Sequence, residues 1–85
     1  MKYQVIWVTV AEHDLAAIWL DAPDRKAVTS AVQVLDVKLR RDPLHLGESR
    51  KSSFHRVAFE HPLGIEFEVI EDDKKVIVQG VWRAT

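Results

Sequence analysis

Cysteine is absent from this sequence, and glycine and proline are scarce, at three of each in 85 residues. Without cysteine there is neither a disulfide framework nor a thiolate zinc site, so packing alone must hold a chain of this size together. The hydrophobic content of 47% excludes a disordered or low-complexity chain. Because thiols and disulfides are not used, we expect a reducing, cytoplasmic compartment.

Long apolar runs are also missing. No stretch approaches the roughly 18 apolar residues of a membrane span. The N-terminal run from Tyr3 to Val10 is interrupted by Gln4 and Thr9 and followed by Glu12, which does not fit a signal peptide. We therefore expect no membrane segment and a single domain over residues 1–85, since autonomous domains seldom fall below about 50 residues.

Charge of one sign is not in excess, because twelve Lys and Arg face thirteen Asp and Glu for a net charge of −1. That total argues against a nucleic-acid binder that relies on bulk positive charge. The charges are segregated, however. Residues 38–56 hold six cations and two acids, which leaves six cations against eleven acids in the rest of the chain. A basic patch on an acidic body would leave one surface able to meet phosphate.

The first half of the chain predicts one strand and two helices. The β-branched and aromatic residues from Tyr3 to Val10 predict a strand that is apolar on both faces and central in its sheet. A short helix is predicted from Ala11, because apolar residues recur there at helical spacing. A longer helix is predicted from Pro23, in its first turn, to Asp42. Its apolar stripe consists of Val28, Ala31, Val32, Leu35 and Leu39.

The second half predicts one loop and three strands. Residues 44–53 show no periodicity and are interpreted as an exposed loop, of a length that is often functional in small domains. Strands are predicted over 54–60, 65–71 and 75–83, joined by turn residues into an antiparallel meander. The expected fold is α+β in the order β-α-α-β-β-β, with two helices packed on one face of a four-stranded, mainly antiparallel sheet.

Short motifs follow one another along nearly the whole chain, and their order is more specific than any one of them. They are Tyr3-Gln4-Val5-Ile6-Trp7, Ala11-Glu12-His13-Asp14-Leu15, Leu39-Arg40-Arg41-Asp42-Pro43, Phe54-His55-Arg56-Val57, the segment 62–69 and the segment 76–83. This succession resembles the RelE/ParE superfamily of type II toxins, also known as plasmid stabilisation system proteins. The resemblance implies the RelE-like fold.

The resemblance also implies a function, which is growth inhibition by the toxin of a type II toxin–antitoxin system. A cognate antitoxin would wrap the protein, and the free toxin would cleave mRNA in the ribosome or, in the ParE branch, inhibit DNA gyrase. RNA cleavage needs cations for the scissile phosphate and groups that transfer protons. The candidate catalytic residues are Arg50, Lys51, His55, Arg56 and Arg83.

One departure from that pattern concerns the strand after the predicted hairpin turn. Ribosome-dependent members usually carry an Arg there, and this chain has Gly64, followed by Glu66 and Glu68. Carboxylates near that face would repel a phosphodiester by about 1 kcal/mol each. Ribosome-dependent mRNA cleavage therefore has an alternative, a non-catalytic binding module that is either a ParE-like gyrase inhibitor or a toxin fold that only pairs with an antitoxin.

Simpler interpretations apply to the same residues. Arg50 and Lys51 fit solvated surface charges, and His55 fits a half-exposed strand residue. Trp82 fits either core packing or a partner-facing anchor, whereas Trp7 and Trp19 fit the core. The histidines are scattered without helical i, i+4 spacing, and no dinucleotide or phosphate loop occurs, so we expect neither metal nor cofactor. A homodimer through an edge strand or the helical pair stays open.

Overall fold

The computed structural model describes residues 2–84. Two helices cover one face of a five-stranded mixed sheet, so the predicted α+β class and helix placement are confirmed. Along the chain the elements are β1 Gln4–Trp7, α1 Thr9–Asp21, α2 Arg25–Arg41, a 3-10 turn at Pro43–His45, β2 Glu48–Ser52, β3 His55–Glu60, β4 Leu63–Ile70 and β5 Lys75–Arg83. The strand order across the sheet is β1-β5-β4-β3-β2, and β1 runs parallel to β5 while the other pairs are antiparallel.

The strand count differs from the prediction, because residues 48–52 form an edge strand rather than a loop. Glu48 pairs with Val57 and Ser49 with Arg56, so the backbone of β2 bonds to β3. All five residues of β2 are exposed. A strand without a buried face carries no apolar alternation, and its sequence therefore resembles that of a loop.

The first strand is shorter than predicted and lies at the other edge of the sheet. It ends at Trp7, since α1 begins at Thr9, and it pairs with β5 alone. Its placement at the centre was wrong for a physical reason. One of its faces packs against the core through Val5 and Trp7, and the other places Ile6 in register with Ile77. A strand that is apolar on both faces can thus still lie at the edge of its sheet.

The two helices are joined by a capped turn. The Asp24 side chain accepts a hydrogen bond from the Ala27 backbone N–H at 3.1 Å, which places α2 after Pro23 rather than at it. Arg25 donates to the carbonyls of Trp19 and Leu20 at the end of α1, at 3.2 and 3.0 Å. The bond to Leu20 satisfies a carbonyl at the helix end, and the Trp19 carbonyl also accepts from the Ala22 backbone N–H.

The core lies between α2 and the helix-facing side of the sheet. Side chains that are fully buried there are Leu35, Leu39, Leu63, Ile65, Phe67, Val76 and Val78. Each contributes about 1.5–3 kcal/mol through burial. In contrast, α1 buries only Ala11 fully and leaves Leu20 63% exposed. Within residues 2–84, neither helix has the length and apolarity that crossing a membrane would require.

Candidate functional site

The strand register divides the predicted site residues between two faces of the sheet. We call the side opposite the helices the open face. Successive side chains of a strand alternate between faces. On β3, Arg56 therefore points to the helix side, where its register partner Phe67 is buried. The open face receives His55, Val57 and Phe59 from β3, and their partners on β4 are Glu68, Glu66 and Gly64.

Both glutamates consequently lie beside a predicted site residue. The Glu66 carboxylate is 3.0 Å from Nε2 of His55, and Glu68 accepts a hydrogen bond from Gln79 at 3.3 Å. The His55 Nδ1 atom is buried without a hydrogen-bond partner among residues 2–84. The ring therefore meets the Glu66 carboxylate through Nε2, while its Nδ1 faces protein atoms that offer no hydrogen bond.

Arg56 is buried and bonded to the backbone. It is 9% exposed, and its guanidinium donates to the carbonyls of Leu46, Ser53 and Gly47 at 2.8, 3.1 and 3.0 Å. Gly47 has φ 67°, and a Cβ there would overlap the Val57 carbonyl oxygen. Arg56 thus fixes the chain around β2, and its three nitrogens face the protein rather than solvent.

The remaining predicted cations do not converge. Arg50 and Lys51 are exposed on β2, near the end of β3 where Ser52 pairs with His55. Arg83 pairs with Leu63, whose partner on β3 is Glu60 at the opposite end. Five residues of strand separate the two ends by about 16 Å. The structure therefore brings His55 near the β2 cations but leaves Arg83 remote from them.

Ion pairs also engage two of the six cations in residues 38–56. Lys38 pairs with Glu60 at 3.1 Å, and Arg40 pairs with Asp36 at 2.9 Å. Together with the burial of Arg56, this leaves three exposed cations of residues 38–56 outside the ion pairs that the described residues form. They are Arg41, Arg50 and Lys51.

Gly64 lies beneath the indole of Trp82. A Cβ at this position would lie 2.6 Å from both Cε2 and Nε1 of the ring. Trp82 also contacts Phe59 edge-on, with ring centroids 6.0 Å apart and an interplanar angle of 81°. We call Phe59 and Trp82 the aromatic pair. It occupies the space above the position where the family resemblance leads one to expect a phosphate-binding arginine.

An apolar groove between α1 and α2 was missed by the sequence analysis, which placed Trp7 and Trp19 in the core. This helix groove has a volume of about 630 Å³ and is lined mainly by Trp7, Leu15, Ala16, Trp19, Val28 and Val32. Trp19 is fixed in its wall, because its Nε1 donates to Thr29 at 3.2 Å and Arg25 lies 4.7 Å from the ring centroid. Leu20 is the sequence signal that could have indicated this groove. It directly follows Trp19, and two consecutive residues of a helix cannot share one face, so one of the two apolar side chains must lie outside the core.

A polar cluster at the β4–β5 turn joins the start of β1 to that turn. The Tyr3 hydroxyl donates to Glu71 at 2.6 Å, and Lys74 pairs with the same carboxylate. The hydrogen bond to Glu71 raises the pKa of Tyr3. The Lys74 and Tyr3 donors lower the pKa of Glu71, and Glu71 in turn raises the pKa of Lys74. The cluster connects structural elements and lies outside the predicted site.

Metal-binding geometry is absent from the part of the chain that the structure describes: no three His, Asp or Glu side chains among residues 2–84 converge as ligands. The open face itself carries two carboxylates on β4, one histidine and two exposed aromatic rings.

Three solved structures share this fold, and two of them come from toxin–antitoxin systems. A chain of the toxin–antitoxin complex RelBE2 from Mycobacterium tuberculosis matches with a TM-score of 0.78 and 19% identity, over 98% of this chain and 92% of that one. The chromosomal ParDE TA system from P. aeruginosa matches with a TM-score of 0.68 and 20% identity, over 98% and 97% of the two chains. A conserved hypothetical protein from Helicobacter pylori matches at 0.60 and 11% identity, over 95% and 93%.

These similarities establish the fold. The protein shares its fold with chains of the RelBE2 complex and the ParDE system, and the predicted RelE-like fold is confirmed. No family model and no curated protein matches the chain.

Proposed function

We propose that this protein is the toxin component of a type II toxin–antitoxin system and that it acts through protein contacts rather than by cleaving RNA. The toxin assignment rests on the fold shared with chains of the RelBE2 and ParDE systems. The choice of mechanism rests on one observation. The Trp82 indole covers Gly64, where a cleaving member would present an arginine.

The surrounding charges support the same choice. Glu66 and Glu68 lie on the open face, and Glu66 is paired with His55. Arg56 is bonded to carbonyls, and Arg83 lies at the far end of the sheet. A scissile phosphate on this face would meet carboxylates, and neither Arg56 nor Arg83 would be placed to hold it.

We propose the helix groove as the docking site of the antitoxin. The groove has a volume of about 630 Å³ and a mainly apolar lining, which is large enough for the side chains of a partner segment. Glu12 lines the groove on the α1 side, where residues 3–24 hold four acids and no Lys or Arg, whereas Arg25 and Lys26 lie beside Trp19 at the start of α2. The acidic edge of the groove is therefore the one along α1. An amphipathic antitoxin segment with apolar side chains and flanking Lys or Arg fits that surface.

Expression in bacterial cells tests the mechanism. The protein alone should arrest growth, co-expression of its cognate antitoxin should relieve the arrest, and ribosome-bound mRNA should show no new ends. Arg83→Ala should arrest growth as the wild type does. New ends that vanish in Arg83→Ala would contradict the proposal. A supercoiling assay with purified gyrase then tests whether the protein inhibits this enzyme by binding to it, as a ParE-like toxin would.

Ribosome-dependent cleavage is a second candidate, because Arg50 and Lys51 are exposed near His55. It predicts new ends in ribosome-bound mRNA that disappear in a variant combining Arg50→Ala and Lys51→Ala. Arg41→Ala is the matched control, since this exposed cation lies on α2. The candidate would be excluded if the ends of ribosome-bound mRNA were the same in cells with the double variant, in cells with Arg41→Ala and in cells without the protein.

A further inference from the structure

We propose that the aromatic pair, Phe59 and Trp82, is a protein-binding site of its own, which takes an apolar side chain from a partner segment flanked by lysine or arginine. This inference goes beyond the proposed function, because it assigns a partner to the open face and does not depend on the antitoxin or on toxicity.

The exposure of the pair is the first argument. Phe59 is 61% exposed and Trp82 is 38% exposed, on the face that neither helix covers. They lie on non-adjacent strands, and Gly64 of β4 is in register with both of them. The two rings therefore meet across a gap that a side chain would otherwise fill. Tryptophan in such a position is the residue type most enriched at the centres of protein interfaces.

The rigidity of the pair is the second argument. The Trp82 ring rests on Gly64 closely enough that any Cβ would displace it, and Phe59 meets it edge-on. A glycine inside a strand weakens the strand and is typical of sites where another group approaches the backbone closely. An aromatic anchor that is fixed before binding loses less conformational entropy when a partner docks.

The charge around the pair identifies the partner. Glu66 follows Gly64 by two residues on β4, and Glu48 is in register with Val57, two residues before Phe59. The cations lie farther away. Lys75 is six residues of strand from the pair, about 20 Å, and the β2 cations lie near His55, about 13 Å away.

Arg83 follows Trp82 directly but alternates to the other side of the strand. There it lines a small cleft with Pro23, Asp24 and His61. The immediate surroundings of the rings on the open face are thus acidic. Such a surface favours a basic peptide and disfavours a nucleic-acid strand, whose phosphates would approach the same carboxylates.

A displayed library of random 12-residue peptides tests the proposal in vitro. The library is selected on the wild-type protein and counter-selected on Trp82→Ala, which removes peptides that bind the helix groove. The surviving peptides should carry an excess of Lys and Arg around an apolar or aromatic residue. Binding should weaken about 30-fold in Trp82→Ala and in Phe59→Ala, as expected for interface anchors.

Two further variants test the role of charge and the specificity of the aromatic pair. Glu66→Gln should weaken binding several-fold, whereas Phe54→Ala, which removes an exposed aromatic residue before β3, should leave it unchanged. Circular dichroism of each variant shows whether its fold is kept, and Phe59→Ala serves if Trp82→Ala unfolds. Survivors without a basic excess, an absence of survivors, or a 12-nucleotide poly-U RNA that binds in a Trp82-dependent manner would each overturn the proposal.

Discussion

Arg56 is a charged residue that stabilises the backbone around β2. Its guanidinium donates to three carbonyls, so its loss leaves those acceptors without partners in a buried place. We predict that Arg56→Lys lowers the free energy of unfolding by about 2–3 kcal/mol, because an ammonium cannot replace the planar fork. Urea denaturation measures the effect. Lys51→Ala, an exposed change on β2, should stay within about 0.5 kcal/mol of the wild type. Equal urea midpoints for Arg56→Lys and Lys51→Ala would contradict the role given to the carbonyl bonds.

Gly64 and Trp82 are expected to be energetically coupled. We predict that Gly64→Ala costs about 1–3 kcal/mol of stability, because the new Cβ must displace the indole. The cost should largely disappear when Trp82 is already alanine, and a double-mutant cycle in urea measures the coupling. Gly80→Ala is the matched control on β5, since its Cβ would come no closer than 3.8 Å to another atom. Equal costs of Gly64→Ala in both backgrounds would show that the two residues are independent.

At the scale of elements, the Tyr3, Glu71 and Lys74 cluster ties the start of β1 to the β4–β5 turn. The folded pKa of Glu71 lies below its ordinary value of 4.5, so its contribution to stability is present above pH 4.5 and is lost as the pH falls through the folded pKa. The folded pKa of Tyr3 lies above 10.0, so the contribution of its hydroxyl is present below pH 10.0 and is lost as the pH rises through the folded pKa.

These shifts predict a plateau in the effect of Glu71→Gln. The stability difference from the wild type should be constant between about pH 5 and pH 9 and should shrink on either side. Urea titrations at a series of pH values measure it. Asp73→Asn is an exposed change in the same turn. Its stability difference from the wild type should not rise and fall with pH in this way. A difference that persists unchanged at pH 3 would mean that ionised Glu71 does not support the link between β1 and the turn.

The elements with a buried face were predictable, and those without one were not. The apolar stripe of α2 and the alternation along β4 identified the core, because burial imposes a period on the sequence. The five exposed residues of β2 carry no such period, so only backbone pairing with β3 reveals the strand. The same limit applies to the site. Sequence order grouped Arg56 and Arg83 with the β2 cations, whereas strand register and burial separate them.

Across the whole molecule, the net charge of −1 conceals a segregation of charge: residues 3–24, which include α1, carry four acids and no Lys or Arg. Of the six cations in residues 38–56, Arg56 is buried and two are paired, so the basic patch suggested by the sequence is reduced to Arg41, Arg50 and Lys51. The acids beside the helix groove remain exposed. If the antitoxin occupies the helix groove as proposed, the acids along α1 attract its basic residues and the apolar groove retains it.

This division of roles predicts separate effects on the rates of antitoxin binding. Glu12→Gln, at the rim of the groove, should slow association several-fold and weaken its salt dependence, because it removes part of the attracting charge. Trp19→Ala should instead speed dissociation by about 30-fold or more, since it removes an anchored wall of the groove. Val37→Ala, an exposed apolar change on α2 outside the groove, should alter neither rate. Stopped-flow fluorescence of this protein with the proposed antitoxin, at two salt concentrations, measures both rates. If Val37→Ala and Trp19→Ala dissociate equally fast, the antitoxin does not occupy the helix groove.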